Sequence, residues 1–321
     1  MKPILKWTGG KSSELPILAG YVPAFQRTIE PFMGGGAFYF NHEKPGLVND
    51  YNFELIAFYE LIRSDLSNLV EFVGQFQEIR TRLGEFPGGD VVSWCEGVSD
   101  NAVYQRYLTR EVNSKKKGII KHGIVDTEEY LLTAGYAACY YWCRELYNKF
   151  RNSDEIIEWI GSWYVMREIA YSGMFRFSVN GFNVPYGGAS YNKKNLLDKL
   201  VYCDKVAGSA FYQDTVFSNL DFAEFLSGIE YRDGDFIFLD PPYDSEFSQY
   251  NEDADFTRDD QVRLRDCLRG INVPWMNVIK QTDFISELYK EFRIVDFDKA
   301  YSVNFHNRND RSVNHLIIMN Y

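Results

Sequence analysis

The stretch Phe236-Ile237-Phe238-Leu239-Asp240-Pro241-Pro242-Tyr243 constrains the fold more than any other part of the chain. Its four apolar residues show no alternation, which fits a strand buried on both faces of a parallel sheet. Pro241 and Pro242 have no N–H to donate and cannot extend a ladder, so the strand stops at Asp240. Ligands of open α/β sheets bind just beyond the carboxyl ends of the strands, which puts Asp240 and Tyr243 where chemistry is expected. A rigid diproline holding an acceptor carboxylate beside a flat ring suits an aromatic heterocycle that bears an amino group. Taken alone, the same four residues also read as an acidic strand end and a turn, with Tyr243 packed in the core.

The flanking chain alternates in the manner of βαβ units. A strand over 27–32, a glycine turn at 34–36, a helix over 37–43 and a strand over 46–50 precede helical periodicity from 54 to 83. Aromatic-rich helices follow over 127–150 and 155–169, and residues 172–191, rich in Gly and Asn, read as loops or a hairpin. Alternation resumes with helices near 195–200, 222–226, 258–268 and 283–291. The strands expected among them lie near 208–212, up to 240, at 274–280, at 292–297 and at 315–321, the last two as an antiparallel hairpin. The expectation is an α/β catalytic domain, 1–53 with 193–321, interrupted by a mostly helical insertion over 54–192.

Several classes are disfavoured by composition. No apolar run reaches transmembrane length, and the first residues lack the apolar core of a signal peptide. The five cysteines, Cys95, Cys139, Cys143, Cys203 and Cys267, are odd in number and have no C-x-x-C spacing, so reduced thiols are expected. Cys139 and Cys143, one helical turn apart, read as core. His42, His122, His306 and His315 show no zinc spacing, and no metal site is expected. A formal net charge of −11 argues against indiscriminate nucleic-acid binding. It hides a basic run, however: Arg106, Arg110, Lys115, Lys116, Lys117 and Lys121 stand against the single carboxylate Glu111. That run reads either as a solvated loop or as a phosphate contact.

Glu30-Pro31-Phe32-Met33-Gly34-Gly35-Gly36 lies between strand and helix, where glycines let a ligand approach the backbone and leave helix N–H groups free. Asp50 ends the next strand, 16 residues after Gly34, where a carboxylate can accept hydrogen bonds from both ribose hydroxyls of a nucleoside cofactor. NAD, FAD and S-adenosylmethionine fit this pair equally, as does a plain tight turn, and there is no G-x-G-x-x-G. Thr8-Gly9-Gly10-Lys11-Ser12 ends like a phosphate loop, but Leu5 occupies the position of its first glycine and no strand precedes it. A lysine on a glycine loop still suits an anion such as an amino-acid carboxylate.

An exocyclic amine gives Asp240 and Tyr243 a chemical logic. The N6 nitrogen of adenine is a poor nucleophile because its lone pair is delocalised. Hydrogen bonds from its N–H groups to the Asp240 carboxylate and the Pro241 carbonyl would localise that pair and stabilise the positive charge that develops as a methyl group arrives. Tyr243 would stack on the base and align it with the donor, and a duplex base would first have to be flipped out.

Lys6-Trp7-Thr8-Gly9-Gly10-Lys11, Glu30 to Ala37, Asn49-Asp50 and Asp240-Pro241-Pro242-Tyr243 occur in the order and spacing of the Dam-like DNA adenine-N6 methyltransferases, the D12 class, which the chain resembles. Gly173-Met174-Phe175-Arg176-Phe177, Gly181-Phe182-Asn183-Val184-Pro185-Tyr186-Gly187, Asp221-Phe222, Phe256-Thr257 with Asp260-Gln261, Thr282-Asp283-Phe284 and Asn320-Tyr321 resemble further segments of that family. The resemblance implies a Rossmann-like S-adenosylmethionine-dependent methyltransferase sheet with an inserted target-recognition domain. It implies S-adenosylmethionine as cofactor and double-stranded DNA as partner. A cognate restriction endonuclease acting on the same site is a further partner of such enzymes, and their setting is cytoplasmic and nucleoid-associated. Trp7, Gly10, Lys11, Glu30, Pro31, Phe32, Gly34, Gly35, Gly36 and Asp50 would then form the cofactor pocket, with Asp221 and Phe222 at the cofactor's adenine. Asp240 would serve both cofactor and target amine, and Tyr243 would stack on the flipped base. Arg110, Lys115, Lys116, Lys117, Lys121, Arg176 and Asn183 become candidate DNA contacts. Methylation of cytosine N4 uses the same geometry, and an inactive DNA-binding homologue would share the fold; the motif's flanks favour adenine, and the intact Lys11, Asp50, Asp240 and Tyr243 favour activity. Two departures stand out: Ser178 replaces the family's Asn after Arg176-Phe177, and Asn314-His315-Leu316 stands where an acidic residue is usual.

Overall fold

A computed structural model describes residues 1–5, 7, 9–243, 256–300 and 312–321; Lys6 and Thr8 of the first motif, and His306, lie outside the described residues. Along the chain run α1 (Leu15–Leu18), β1 (Arg27–Glu30), α2 (Ala37–His42), β2 (Gly46–Asn49), α3 (Phe53–Ser64), α4 (Leu66–Gly84), α5 (Val91–Gly97), α6 (Ala102–His122), α7 (Thr127–Phe150) and α8 (Ile156–Ile169). There follow β3 (Phe177–Ser178), β4 (Gly181–Phe182), α9 (Asp198–Ala207), α10 (Ala210–Gln213), β5 (Val216–Ser218), α11 (Phe222–Ser227) and β6 (Asp235–Leu239). The last are α12 (Arg258–Arg269), β7 (Trp275–Lys280), α13 (Asp283–Leu288), β8 (Arg293–Ala300) and β9 (Ser312–Met319). The chain divides into two compact units, Met1–Arg63 with Lys205–Tyr321, and Ser64–Asp204.

The first unit holds a seven-stranded sheet in the order β5-β2-β1-β6-β7-β9-β8. Neighbours from β5 to β7 are parallel, and β9 runs antiparallel to both β7 and β8. Every residue of β6 is buried, and its missing alternation has a direct cause: both faces are covered. Phe236 and Phe238 join Phe38 and Leu18 on one face, and the Phe38 and Phe238 rings stack at 4.2 Å and 6°. Ile237 and Leu239 point to the opposite face, among Ile29, Phe225, Leu264 and Trp275. Each such side chain contributes about 1.5–3 kcal/mol by leaving water.

The second unit is mostly helical, with α7 packed against α4, α5, α6 and α8, and with the two-stranded hairpin β3–β4. Its core is rich in buried tyrosines whose hydroxyls donate to main-chain carbonyls: Tyr104 to Cys95 (3.0 Å), Tyr140 to Val184 (2.8 Å) and Tyr164 to Leu196 (2.8 Å). That satisfies the one polar atom each ring carries inward. Cys139 and Cys143 are buried here, and burial pushes the Cys139 thiol up to about 12.

The helical periodicity over 54–83 is borne out as two helices, broken at Asp65, whose φ and ψ are not helical. The first of them, α3, belongs to the sheet unit up to Arg63, where Tyr59 packs on Phe40 and Phe217. The strand expected near 208–212 is instead the short helix α10, and β5 follows it at Val216–Ser218. The basic run is a helix and not a loop. The Asn101 side chain caps α6 by accepting from the N–H groups of Val103 (2.9 Å) and Tyr104 (3.2 Å), and Gly123 ends it in the left-handed conformation.

At the amino ends of β1 and β6 the Arg27 guanidinium grips the buried Asp235 carboxylate with two bonds, 2.7 and 2.6 Å. Arg27→Ala leaves that buried carboxylate with the Arg232 N–H at 3.0 Å and the more distant Arg232 side chain, and should lower stability by about 3 kcal/mol in urea unfolding. A double replacement of both partners by apolar residues should cost less than the single change.

Candidate active site

Chain order makes β1 and β6 the switch point of the sheet. From β1 the chain builds outward through β2 and β5, then returns to the other flank of β1 with β6 and continues through β7. The connections above β1 and β6 therefore diverge and open a crevice at the carboxyl ends. Glu30 is the last residue of β1, and Asp240 directly follows β6.

Lys11 reaches the Asp240 side of this crevice. It is 1% exposed, pairs with Asp240 Oδ1, and donates to the Tyr243 hydroxyl at 3.0 Å and the Gly9 carbonyl at 3.4 Å. Its ammonium also lies 5.3 Å from the centroid of the Tyr243 ring. Gln261 of α12 is fully buried and donates to the Pro242 carbonyl at 2.9 Å, which fixes the diproline. Lys11, Asp240 and Tyr243 thus form one cluster.

Glu30 is buried, and among the described residues its one side-chain hydrogen bond comes from Thr28 at 3.5 Å. Burial raises its carboxyl well above the ordinary glutamate range; the Thr28 bond opposes this and the charge of Asp240 adds to it. The turn after β1 is closed by Gly36 N–H donating to the Met33 carbonyl at 2.8 Å. Gly34 (φ +49°) and Gly35 are packed by Trp7: a Cβ on either would come within 3.0 Å of its side chain. Asp50 accepts from the Gly34 N–H (2.8 Å) and the Asn52 N–H (2.9 Å), which hold its carboxylate against the turn. Burial raises its pKa above the ordinary aspartate range and these two bonds lower it, the former being the larger.

Asp221 caps α11 through the Ala223 N–H (2.9 Å), and the same oxygen accepts from Arg263 at 2.8 Å. Phe222 packs on Phe32 and Phe256 with ring centroids 5.5 and 5.6 Å away, and the Arg263 guanidinium lies 4.9 Å from the centroid of the Phe222 ring. The pair offers a carboxylate beside an aromatic wall.

The remaining candidates lie in the helical unit. Arg110, Lys117 and Lys121 fall on one stripe of α6 by their spacing. Lys116, Lys117 and Lys121 are exposed, whereas Lys115 is half-buried with its ammonium 4.1 Å from the centroid of Tyr130, and burial lowers its pKa below the ordinary lysine value. Arg110 pairs with Glu111 at 2.9 Å and packs over Tyr107 and Tyr141. At the hairpin, Arg176 Nε donates to Asn183 Oδ1 at 3.1 Å, and the Asn183 N–H donates to the Arg176 carbonyl at 3.1 Å.

Some positioning residues carried no assigned role in the sequence. Asn49 donates to the carbonyls of Pro31 (3.1 Å) and Leu220 (3.0 Å) and accepts from the Leu220 N–H (2.9 Å), tying the ends of β1 and β5 together. Glu14 and His315 form a buried pair, Nδ1 to Oε2 at 3.1 Å. Their one sequence signal is a polar residue inside an apolar strand, Leu316 to Met319 being buried beside His315.

A mainly parallel sheet, with an acidic and aromatic crevice at its switch point and an antiparallel hairpin at one edge, is consistent with a methyltransferase. Residues 7–85 and 102–303 match the family model described as D12 class N6 adenine-specific DNA methyltransferase, and the chain belongs to that family. Among its relatives, the Type II methyltransferase M.CviBI of Paramecium bursaria Chlorella virus NC1A is 26% identical, with the whole of both chains covered. The Type II methyltransferase M1.LlaDCHI of Lactococcus lactis subsp. cremoris is 24% identical over 100% of this chain and 96% of its own. The Retron Ec67 DNA adenine methylase of Escherichia coli is 29% identical over 91% of this chain and 82% of its own.

Glu30 sets a pH dependence. Its carboxyl holds a proton more tightly folded than unfolded, so its contribution to stability is full below the unfolded value and is lost as pH rises towards the folded one. Glu30→Gln should therefore melt progressively higher than wild type as pH is raised through that interval, with the two nearly equal in acid; melting curves across pH measure this.

Proposed function

We propose that the protein methylates N6 of adenine in double-stranded DNA at a specific site, with S-adenosylmethionine as donor and the target base turned out of the helix. The observation that carries this reading is the Lys11–Asp240–Tyr243 cluster at the switch point of the sheet, in a chain of this family. The chemistry of the crevice suits the donor. Glu30 and Asp240 supply negative charge for a methionine ammonium and a sulfonium, and Asp50 offers a fixed carboxylate for ribose hydroxyls. Trp7, Gly10, Pro31, Phe32, Gly34, Gly35 and Gly36 would shape the pocket, and Asp221 and Phe222 would hold an adenine. When bound, the donor supplies an electrophilic methyl group.

The residues of the chain do the rest. Asp240 and the Pro241 carbonyl accept from the two N–H groups of the target amine, which localises its lone pair and stabilises the charge that grows on nitrogen. A carboxylate has about four acceptor sites, so Asp240 can accept from Lys11 and from the amine together. The surplus proton leaves N6 to the Asp240 carboxylate. Tyr243 stacks on the base, and with its hydroxyl held by Lys11 the ring is placed before the base arrives. Turning a base out costs a few kcal/mol; the exposed cations of α6, together with Arg176 and Asn183, are the proposed source of phosphate and base contacts that offset it. The printed names of the relatives, type II methyltransferases and adenine methylases, support a role in marking DNA, alone or beside a restriction endonuclease of the same site.

Incubation of duplex DNA with labelled S-adenosylmethionine, followed by nucleoside analysis, should give N6-methyladenine and no N4-methylcytosine. Asp240→Ala should reduce transfer by about 10²- to 10³-fold, the order expected from losing a principal electrostatic group; normal transfer by that variant, or none by wild type, would sink the reading. Replacing Lys116 and Lys117 together by serine should flatten the salt dependence of DNA binding, by about 0.9 in log–log slope for each phosphate no longer neutralised. Lys115→Ser should do less, since its ammonium is engaged with Tyr130.

A further inference from the structure

We infer that the buried pair Glu14–His315 is a positioning device for Tyr243, acting on the ring and on the lysine that holds its hydroxyl. This rests on the proposed role of Tyr243 as the platform for the target base.

His315 is fully buried on β9, opposite Lys280 of β7 and Phe297 of β8. An imidazole in an apolar strand carries a desolvation cost that a leucine would avoid, so its surroundings should show what it does there. Its ring lies 5.6 Å from the Tyr243 ring at 82° and 5.8 Å from Phe297 at 71°, both edge-on arrangements. Its Nδ1 meets Glu14 Oε2 at 3.1 Å, which fixes the orientation of the imidazole plane.

Glu14 belongs to the loop that carries Lys11. Its N–H donates to the Lys11 carbonyl at 2.8 Å, and its own carbonyl receives the Leu18 N–H at 3.1 Å as α1 begins. Through the pair, a residue of β9 and the turn after Lys11 are tied to each other. Tyr243 is thereby held at two places: its hydroxyl by Lys11 and its ring by His315. Two contacts on different parts of a phenol ring restrict both of its side-chain torsions. A stacking platform needs that restriction, because a base clamped at the wrong tilt presents its amine off the line of transfer. His315 and Glu14 are positioning residues in this account and touch neither donor nor base.

The test is single-turnover methyl transfer to unmethylated genomic DNA at saturating S-adenosylmethionine, with donor dissociation constants measured on the same preparations. His315→Ala should slow transfer by about 10- to 100-fold, the range expected when a reacting group is misplaced by a fraction of its own size. Donor binding should stay within about twofold of wild type on the same argument, because neither residue faces the donor. His315→Phe keeps a ring edge against Tyr243 and should recover part of the lost rate, and Glu14→Gln, which keeps a hydrogen bond to the imidazole, should recover more than Glu14→Ala. Unchanged transfer by His315→Ala overturns the inference. So does a loss of rate that simply follows a loss of donor binding and melting temperature across all four variants, since that marks a general structural role. Absence of transfer by wild type would overturn the functional reading itself and this inference with it.

Discussion

Lys11 is an ammonium withdrawn almost entirely from water, and the geometry of the crevice depends on the carboxylate that compensates it. An unpaired charge in that position would cost several kcal/mol. The pair therefore makes the glycine loop near the start of the chain and the strand end at Asp240, 229 residues later, settle as one object. Tyr243 follows because its hydroxyl is a third partner of the same ammonium. Gln261 then fixes the diproline between Asp240 and Tyr243 from the opposite side. Glu30 sits in the field of Asp240, which adds to the elevation of its carboxyl.

The acidic character of this crevice has a further meaning on the proposed reading. Glu30, Asp50 and Asp240 would repel phosphate, so a nucleic-acid backbone gains nothing by entering. A neutral base and a cationic donor do gain. A run of basic side chains lies instead on α6, where Lys116, Lys117 and Lys121 are exposed while Arg110 and Lys115 pack over tyrosines of α7. A chain of net charge −11 can thus serve a polyanionic partner because its charges are sorted and not averaged.

Much of the sheet unit was legible because local chemistry and tertiary role agree there. Prolines after Leu239 end a strand wherever it lies, and an apolar run without alternation is one with both faces covered. The glycine turn and the strand ending beside Asp50 were legible for the same reason, whereas the bond from the Gly34 N–H to the Asp50 carboxylate had no local signal. Legibility failed where a short element depends on distant partners. The span 208–212 has strand-like composition, yet Tyr212 is buried with its hydroxyl on the Tyr59 carbonyl at 2.7 Å and the chain coils there, leaving Val216–Ser218 to pair with β2. On α6 the lysine run masked good helix signals at both ends, Asn101 and Gly123. Lys115 looked equivalent to its neighbours because nothing in the sequence places Tyr130 beneath it. Glu14 and His315 lie 301 residues apart, and no local pattern joins them.

The order of strands also bears on how the protein comes into being. Growth from the ribosome delivers the Lys11 loop, β1 and β2 first, then the entire helical unit, and only afterwards β6, which adds to the free flank of β1 before β7 adds beside it. Until residue 240 emerges, Lys11 has no carboxylate to settle against, and until β9 emerges Tyr243 has no imidazole beside it. On the proposed reading, a nascent chain lacks its assembled cluster for most of its synthesis. For an enzyme that leaves a lasting chemical mark on DNA, that delay would mean that a half-made copy marks nothing.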